Sequence, residues 1–192
     1  ALFLQYNYIS ANPHPTGKKS MLDAADESAY GQVHRIYHPL LRNFLEKFGY
    51  YDIFLIDAAS GDMVYSVFKE VDFATSLTTG PYRNTNFGRV VREAIESSDR
   101  GFVKLIDFEP YEPSYHAPAS FIAAPVFDGD EKIGVLVFQM PINKINQILT
   151  GNNSWRADGL GESGETFMVG ADYKLRSISR PLIENIERHL QK

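Results

Sequence analysis

The chain has 192 residues, of which 44% are hydrophobic and 13% aromatic, so it can bury a sizeable core and global disorder is excluded. Its formal net charge of −5 argues against general nucleic-acid binding, which needs a basic face. The absence of cysteine excludes thiol catalysis, disulfides and cysteine-ligated zinc.

The two ends of the chain carry helical patterns without the usual start and stop signals. Apolar residues recur at helical spacing over 1–11, and 181–192 form a helical pattern with no terminating glycine or proline. No run approaches the roughly 18–20 apolar residues of a membrane span. We therefore expect this sequence to be a piece of a longer protein.

A long helix is predicted before the first strand. Residues 28–48 place apolar side chains at steps of three and four, and Gly49 follows as a C-terminal stop. Pro39 lies inside this pattern, and proline removes a backbone donor and clashes with the preceding helical turn. We therefore expect a kink or a break after His38.

Apolar and alternating runs then predict strands. In chain order the pattern indicates a hairpin over 52–69, a long loop over 69–82, a helix over 86–97, a strand over 102–108, two strands over 119–140 and a helix over 143–149. Because hairpins join antiparallel neighbours, we expect an α+β fold, with an antiparallel sheet of about five strands and flanking helices. A loop as long as 69–82 is often functional.

A different pattern follows the last helix. Residues 150–154 are rich in glycine and asparagine and indicate a linker. Beyond it, 164–170 and 174–179 flank a turn and predict a further strand–turn–strand, a weak echo of 52–69. Too few residues follow to complete a second domain, so we interpret this segment as the start of one.

Six short sequence segments occur within this order of elements. They occupy 51–57, 61–66, 72–77, 124–130, 133–136 and 161–170. Together the first five resemble the Cache domain, the extracytoplasmic relative of the PAS fold. The last segment, 161–170, resembles the beginning of the membrane-proximal module of double Cache sensors. The resemblance covers residues 28–180.

This resemblance implies a non-catalytic sensor domain of a bacterial transmembrane receptor, namely a chemoreceptor, a sensor histidine kinase or a cyclase. The parent protein would be anchored in the inner membrane, with this part on its periplasmic or extracellular face. A small-molecule ligand would favour one of two arrangements of the helices, without a cofactor. A homodimer through the N-terminal helices is also expected. The implied division is an N-terminal helix and loop, 1–27, the Cache sensor domain, 28–150, and a linker with a partial membrane-proximal module, 151–192.

A candidate ligand anchor lies at the end of the long loop. Arg83 directly follows Tyr82, and a guanidinium binds a carboxylate through paired hydrogen bonds. We therefore expect a pocket between the sheet and residues 70–83, with an anionic or carboxylate ligand. Tyr82, Tyr111 and Tyr115 would form its walls. The alternative is a solvated loop arginine.

One departure from the family limits the ligand prediction. The amino-acid-binding subgroup of Cache domains carries a tyrosine, an arginine and then a Trp-Tyr pair in this region. The present sequence has Tyr82 and Arg83 but lacks the Trp-Tyr pair. An amino-acid ligand is therefore not carried over from the resemblance.

Four further side chains are candidates for the same pocket. They are His116 and Ser120, in the segment entering the fourth strand, and Tyr65 and Lys69, on one face of the second strand. Tyrosine supplies apolar area with a polar handle, and the small Ser120 leaves room for a ligand. The alternatives are packing of the proline-rich segment over a sheet edge and, for Lys69, simple exposure at a strand end.

The patterns for metal binding and catalysis are weak. His34 and His38 are four residues apart, but the adjacent Arg35 and Pro39 favour a packed pair over a metal site. One alternative function is a small hydrolase or transferase that uses tyrosine, histidine and aspartate from 107–116. A third is a dimerisation module without a ligand.

Overall fold

The computed structural model describes residues 1–185 and forms two compact units, Ala1–Met140 and a second that begins at Pro141. The elements of the first are α1 (Leu2–Gln5, continued by a π-helical turn, Tyr6–Ser10), α2 (Ala29–Phe48), β1 (Asp52–Asp57), β2 (Met63–Ser66), α3 (Asn86–Glu96), β3 (Lys104–Tyr111), β4 (Ala117–Asp128) and β5 (Glu131–Gln139). The second contains α4 (Ile142–Leu149) and α5 (Arg180–Glu184). No helix in the described part is long and apolar enough to cross a membrane.

The five strands form one antiparallel sheet in the order β2-β1-β5-β4-β3. The register places Ile53 opposite Phe138, which in turn lies opposite Ile122. Because side chains alternate between the two faces of a strand, these three residues share one face. The predicted α+β fold with a five-stranded antiparallel sheet is confirmed.

The larger core lies on the opposite face of the sheet, beneath α3 and the N-terminal segment, residues 1–27. Phe87 of α3 stacks on Phe121 of β4, with ring centroids 4.3 Å apart. Phe54 of β1 contacts both rings. Tyr8 of the N-terminal segment is completely buried in the same cluster. The N-terminal segment therefore packs as part of this layer.

Helix α2 covers the face of the sheet that carries Ile53 and Phe138. There Leu41 and Leu45 pack with Ile53 in a smaller core. The helix begins after Ser28, whose side chain accepts a hydrogen bond from a backbone N–H of the first turn, and it ends at Gly49 in the left-handed conformation. Of the kink or break expected after His38, the break is wrong, since α2 continues through Pro39. Buried residues on both sides of the proline hold the two halves against one surface and offset the lost hydrogen bond.

The second unit has less regular structure than the sequence predicts. The expected strand pair over 164–179 is reduced to a single antiparallel bridge between Val169 and Leu175. The prediction of two strands there is wrong, because an isolated hairpin without further strands is marginally stable. Instead, the buried guanidinium of Arg180 packs 4.9 Å from the ring centroid of Trp155 and donates hydrogen bonds to two backbone carbonyls.

The compact units do not coincide with the predicted division of the chain. They part after Met140, whereas the predicted boundary follows residue 150, and residues 1–27 lie within the first unit. The division into independently folding domains stays a prediction. Of the helix predicted over 181–192, the first residues are helical, and 186–192 lie outside the described residues.

Candidate ligand-binding site

A cavity of about 330 Å³ lies where three segments of the first unit meet, namely 9–19, 68–71 after β2 and 112–115 after β3. Its lining residues are Ile9, Thr16, Gly17, Lys19, Tyr51, Phe68, Lys69, Glu70, Val71, Glu112, Pro113 and Tyr115. The lining residues include two lysines, two glutamates and aromatic residues. A concave site of this size and mixed chemistry suits a small polar molecule.

A buried carboxylate organises the loop that forms one wall. Asp52, the first residue of β1, accepts hydrogen bonds from the backbone N–H of Ile53 at 2.6 Å and of Val67 at 2.9 Å. It also accepts one from the Ser66 hydroxyl at 2.8 Å. The Ser66 oxygen in turn accepts a bond from the N–H of Lys69 at 2.9 Å. These bonds satisfy backbone N–H groups in the segment that follows β2. Burial raises the pKa of Asp52.

The side chain of Lys69 is enclosed behind this wall. Lys69 has a φ of 59° and is 2% exposed, and its amine donates to the Ser66 carbonyl. The amine lies 4.4 Å from the ring centroid of Tyr65, 5.1 Å from that of Phe73 and 5.8 Å from that of Tyr8. Burial lowers the pKa of Lys69 because an isolated ammonium is costly away from water. The aromatic rings and the carbonyl therefore hold an amine whose positive charge is disfavoured.

Glu70 joins the cavity to a network of hydrogen bonds. The Tyr51 hydroxyl donates to Oε1 at 2.9 Å, and the Ser114 hydroxyl donates to Oε2 at 3.1 Å. Gln139 of β5 donates to the Ser114 oxygen at 3.1 Å. Burial, and then the nearby carboxyl of Asp72, raise the pKa of Glu70 to about 8. Burial thus disfavours the ionised form of this carboxyl group, whereas the two donated hydrogen bonds favour it.

A second carboxyl group lies behind Glu70. Asp72 is completely buried and accepts a hydrogen bond from the Tyr111 hydroxyl at 2.6 Å. Burial raises the pKa of Asp72 to about 6, and the Tyr111 hydrogen bond opposes this rise. Within residues 1–185, Asp72 Oδ1 and Gln139 Oε1 are buried and have no hydrogen-bond partner of acceptable geometry. The network is therefore rich in acceptors and poor in donors.

The structure separates several residues that the sequence placed in one site. Lys69 and Tyr115 line the cavity, and Tyr111 lies in the core. Arg83 is not among the lining residues; it is exposed, and its guanidinium donates at 3.1 Å to a carbonyl of its own loop. Tyr82 is half-buried, with its ring 6.0 Å from that of Tyr111.

The other predicted site residues lie elsewhere. Tyr65 is buried beneath α2, where its hydroxyl is 2.7 Å from His38 Nδ1. Ser120 is buried and donates to a carbonyl of β3 at 2.6 Å. His116 is exposed and has a φ of 59°. His34 and His38 are a packed pair with rings stacked 4.3 Å apart, as the sequence favoured.

Three polar residues of this region were not singled out by the sequence patterns: Asp52, Glu70 and Ser114. The available signals were an acidic residue opening the apolar run of β1 and the position of Glu70 in the long loop. Acidic residues at strand ends and in loops are ordinary, so these signals do not identify a buried network.

A second concave surface lies on the α2 side of the sheet. This groove has a volume of about 530 Å³ and is almost wholly apolar. It is lined by Tyr30, Val33, His34, Tyr37, Leu40, Leu41, Leu55, Val64 and Tyr65. The α2 residues Val33, Tyr37 and Leu40 are each more than half exposed. A contiguous apolar surface of this kind is typical of a protein interface or an apolar ligand site.

No protein-family model matches the chain, and no curated protein sequence matches it. Solved structures do match. The ligand-binding domain of the Campylobacter jejuni chemoreceptor Tlp3 in complex with 4-methylisoleucine is 12% identical, with a TM-score of 0.54 over 96% of this chain and 62% of that chain. The sensory domain of the same chemoreceptor (CcmL) is 12% identical, with a TM-score of 0.51 over 96% of this chain and 64% of that chain.

The sensor domain of the V. cholerae histidine kinase DctB is 19% identical, with a TM-score of 0.46 over 76% of this chain and 51% of that chain. The present chain thus spans between 51% and 64% of the length of these three solved domains. At such identities the two Tlp3 structures establish the fold alone. The chain has the fold of the Cache-type sensor domains, as the sequence resemblance implied.

Proposed function

We propose that the chain is the ligand-sensing part of a bacterial signal-transduction receptor. It binds a small solute in the cavity formed by 9–19, 68–71 and 112–115. The observation that carries this proposal is the position of Glu70, which faces the cavity and is hydrogen-bonded to Tyr51 before β1 and Ser114 after β3. A solute at Glu70 contacts segments from three parts of the unit, so binding can favour one arrangement over another.

The shared fold supports a sensor role. The Tlp3 domain of similar fold was solved with 4-methylisoleucine bound, which is a property of that protein. The parent of the present chain would be a chemoreceptor, a histidine kinase or a cyclase anchored in the inner membrane, with this part on the periplasmic or extracellular face. The anionic ligand expected from Arg83 stays a prediction.

The same observations weigh against the catalytic alternative. A hydrolase or transferase built on 107–116 would need Tyr111 and His116 to act on one substrate. The Tyr111 hydroxyl is buried and donates to Asp72, whereas His116 is exposed. A general acid or base must lie within hydrogen-bond reach of its substrate, so this arrangement favours a binding role.

The proposed homodimer would use the exposed side of α2. The groove and the outward apolar residues of this helix form a continuous surface, with Leu40 62% exposed near its middle. A second copy that presents the same helix would remove this surface from water through a self-complementary contact.

Two matched tryptophan variants test the ligand site. Val71 lines the cavity and is 57% exposed, whereas Val103 lines neither concave surface and is 62% exposed. Small acids, amines, amino acids and nucleobases are screened by thermal shift, and each compound that stabilises the wild type is titrated by calorimetry. A bound compound at a hundred times its Kd stabilises the fold by about 2.7 kcal/mol.

We expect Val71→Trp to abolish the shift by filling the cavity and Val103→Trp to preserve it. Equal shifts in both variants would move the ligand away from this cavity. A screen without any stabilising compound would favour the ligand-free dimerisation module, and a compound that is consumed would favour an enzyme.

A further inference from the structure

The buried charges around the cavity are unbalanced. Three carboxyl groups lie close together: besides burial, Asp72 raises the pKa of Asp52, and Asp72 and Asp52 raise the pKa of Glu70. The amine among them is Lys69, which is bound to a carbonyl and enclosed by aromatic rings. Buried carboxylates need a paired positive charge or a proton. The three carboxyl groups together therefore need more positive charge, or more protons, than Lys69 supplies.

Glu70 is the member of this group that a solute can reach. It lines the cavity together with the stacked rings of Tyr51 and Phe68, whose centroids are 5.5 Å apart. A carboxylate beside aromatic faces is a favourable environment for an organic ammonium ion. Gln139, 2% exposed and bonded to the same network through Ser114, has an oxygen that lacks a donor. Gln139 does not line the cavity, so an ammonium ion there would bring its hydrogen-bond donors to Glu70, which does.

The basic groups of the cavity do not supply the missing charge at Glu70. The Lys19 amine donates a hydrogen bond to the Ile9 carbonyl within the N-terminal segment, and the exposed Glu112 of the same lining is acidic. Lys69 is held behind the wall, where burial lowers its pKa. The titratable groups around Glu70 are Tyr51, Asp52, Lys69, Asp72 and Tyr111, with Lys19, Glu112 and Tyr115 on the cavity lining.

We propose that the cavity binds a small organic cation whose ammonium group pairs with the Glu70 carboxyl group beside the rings of Tyr51 and Phe68. This inference rests on the ligand-binding function proposed above. At a pH where Glu70 carries a proton, this pairing is an exchange: the protonated Glu70 and a free ammonium ion become a Glu70 carboxylate paired with the bound ammonium ion, and one proton passes to the solvent. Bonds from Tyr51 and Ser114 stabilise the carboxylate that is formed.

The exchange predicts how affinity depends on pH. Burial raises the pKa of Glu70 to about 8, so below that pH the free site must lose a proton before it can pair with a cation. Affinity therefore rises with pH, up to about tenfold per unit below pH 8, and levels off above it. Between pH 6 and pH 9 the expected gain is about a hundredfold.

The test uses three matched series of two to six carbons: alkylammonium ions, alkyl carboxylates and amino acids. Each is titrated by calorimetry at pH 6, 7.5 and 9 against the wild type, Glu70→Gln and the exposed control Glu131→Gln. Repeating the titrations in phosphate and in Tris, which differ in ionisation enthalpy, measures the protons released. We expect alkylammonium binding to release about one proton at pH 6, to tighten with pH in the wild type and in Glu131→Gln, and to weaken and lose its pH dependence in Glu70→Gln.

A second variant keeps the test informative if Glu70→Gln fails to fold. Tyr51→Phe removes a hydrogen bond that lowers the pKa of Glu70, so the midpoint of the affinity profile should move to higher pH. Binding of carboxylates instead of ammonium ions, proton release that persists in Glu70→Gln, or an affinity midpoint that Tyr51→Phe leaves in place would overturn the exchange and leave the sensor function standing. Failure of all three series to bind would also overturn the exchange, and the thermal-shift screen, which includes nucleobases, then tests the sensor function separately.

Discussion

The side chains of Asp52 and Ser66 tie the two strands of the first hairpin together: the Ser66 hydroxyl donates to Asp52 Oδ2 at 2.8 Å, and both residues are completely buried. Asp52 also accepts bonds from the backbone N–H groups of Val67 and Phe68. One carboxylate thereby directs the chain from β2 into the cavity wall.

Asp52→Ala should destabilise the fold by at least about 2 kcal/mol, because buried donors lose their acceptor. The free energy of unfolding in urea measures this loss. Asp128→Ala, on the exposed hairpin between β4 and β5, is the control and should change stability by less than about 0.5 kcal/mol. Equal effects of the two substitutions would mean that the Asp52 network contributes little to stability.

His34 should make the fold sensitive to acid. Burial, and then the nearby Lys69, lower the pKa of His34 to about 3, so below about pH 6.5 the unfolded chain takes up a proton that the folded chain does not. The stability of the wild type relative to His34→Phe should therefore fall by about 2 kcal/mol between pH 7 and pH 5. This double difference cancels the opposite contributions of the buried carboxyl groups.

Urea unfolding at both pH values measures the effect of His34. The exposed His116 provides the control as His116→Asn, because asparagine tolerates its positive φ. A difference between the wild type and His34→Phe that stays constant with pH would show that His34 titrates alike in the folded and unfolded chains.

Arg83→Ala distinguishes the two ligand hypotheses. If Arg83 anchors a carboxylate, its removal should weaken binding about ten- to a hundredfold. If the ligand occupies the cavity at Glu70, affinity should be unchanged, since Arg83 is absent from the lining and bonds to its own loop. We expect the second result by calorimetry with any compound from the screen. A tenfold loss would restore the 70–83 loop as the binding site.

Leu40→Glu should dissociate the proposed homodimer, because it places a charge in the middle of the apolar groove on α2. Val103→Glu is the matched control, since Val103 and Leu40 are both 62% exposed. Sedimentation measures the mass of each variant across a range of concentrations. A wild type that stays monomeric, or a Leu40→Glu variant that still dimerises, would contradict the α2 interface.

Local signals in the sequence were sufficient to predict most elements of the first unit. The ends of α2 follow from Ser28 and Gly49, whose side chain and backbone freedom satisfy the helix termini. Apolar runs separated by turns predicted the five strands, and hairpin connections made their antiparallel pairing the natural arrangement. Each of these features depends on residues that are close in the sequence.

Long-range packing decided what the local signals could not. It holds α2 continuous through Pro39, whereas the predicted strand pair over 164–179 forms only a single bridge. The network of the candidate site has the same origin: Glu70 meets Ser114 across 44 positions, and Asp72 meets Tyr111 across 39. The sequence by itself thus determined most elements of the first unit and their order. Only the tertiary structure decided which polar groups lose contact with water together, because burial and pairing depend on residues far apart along the chain.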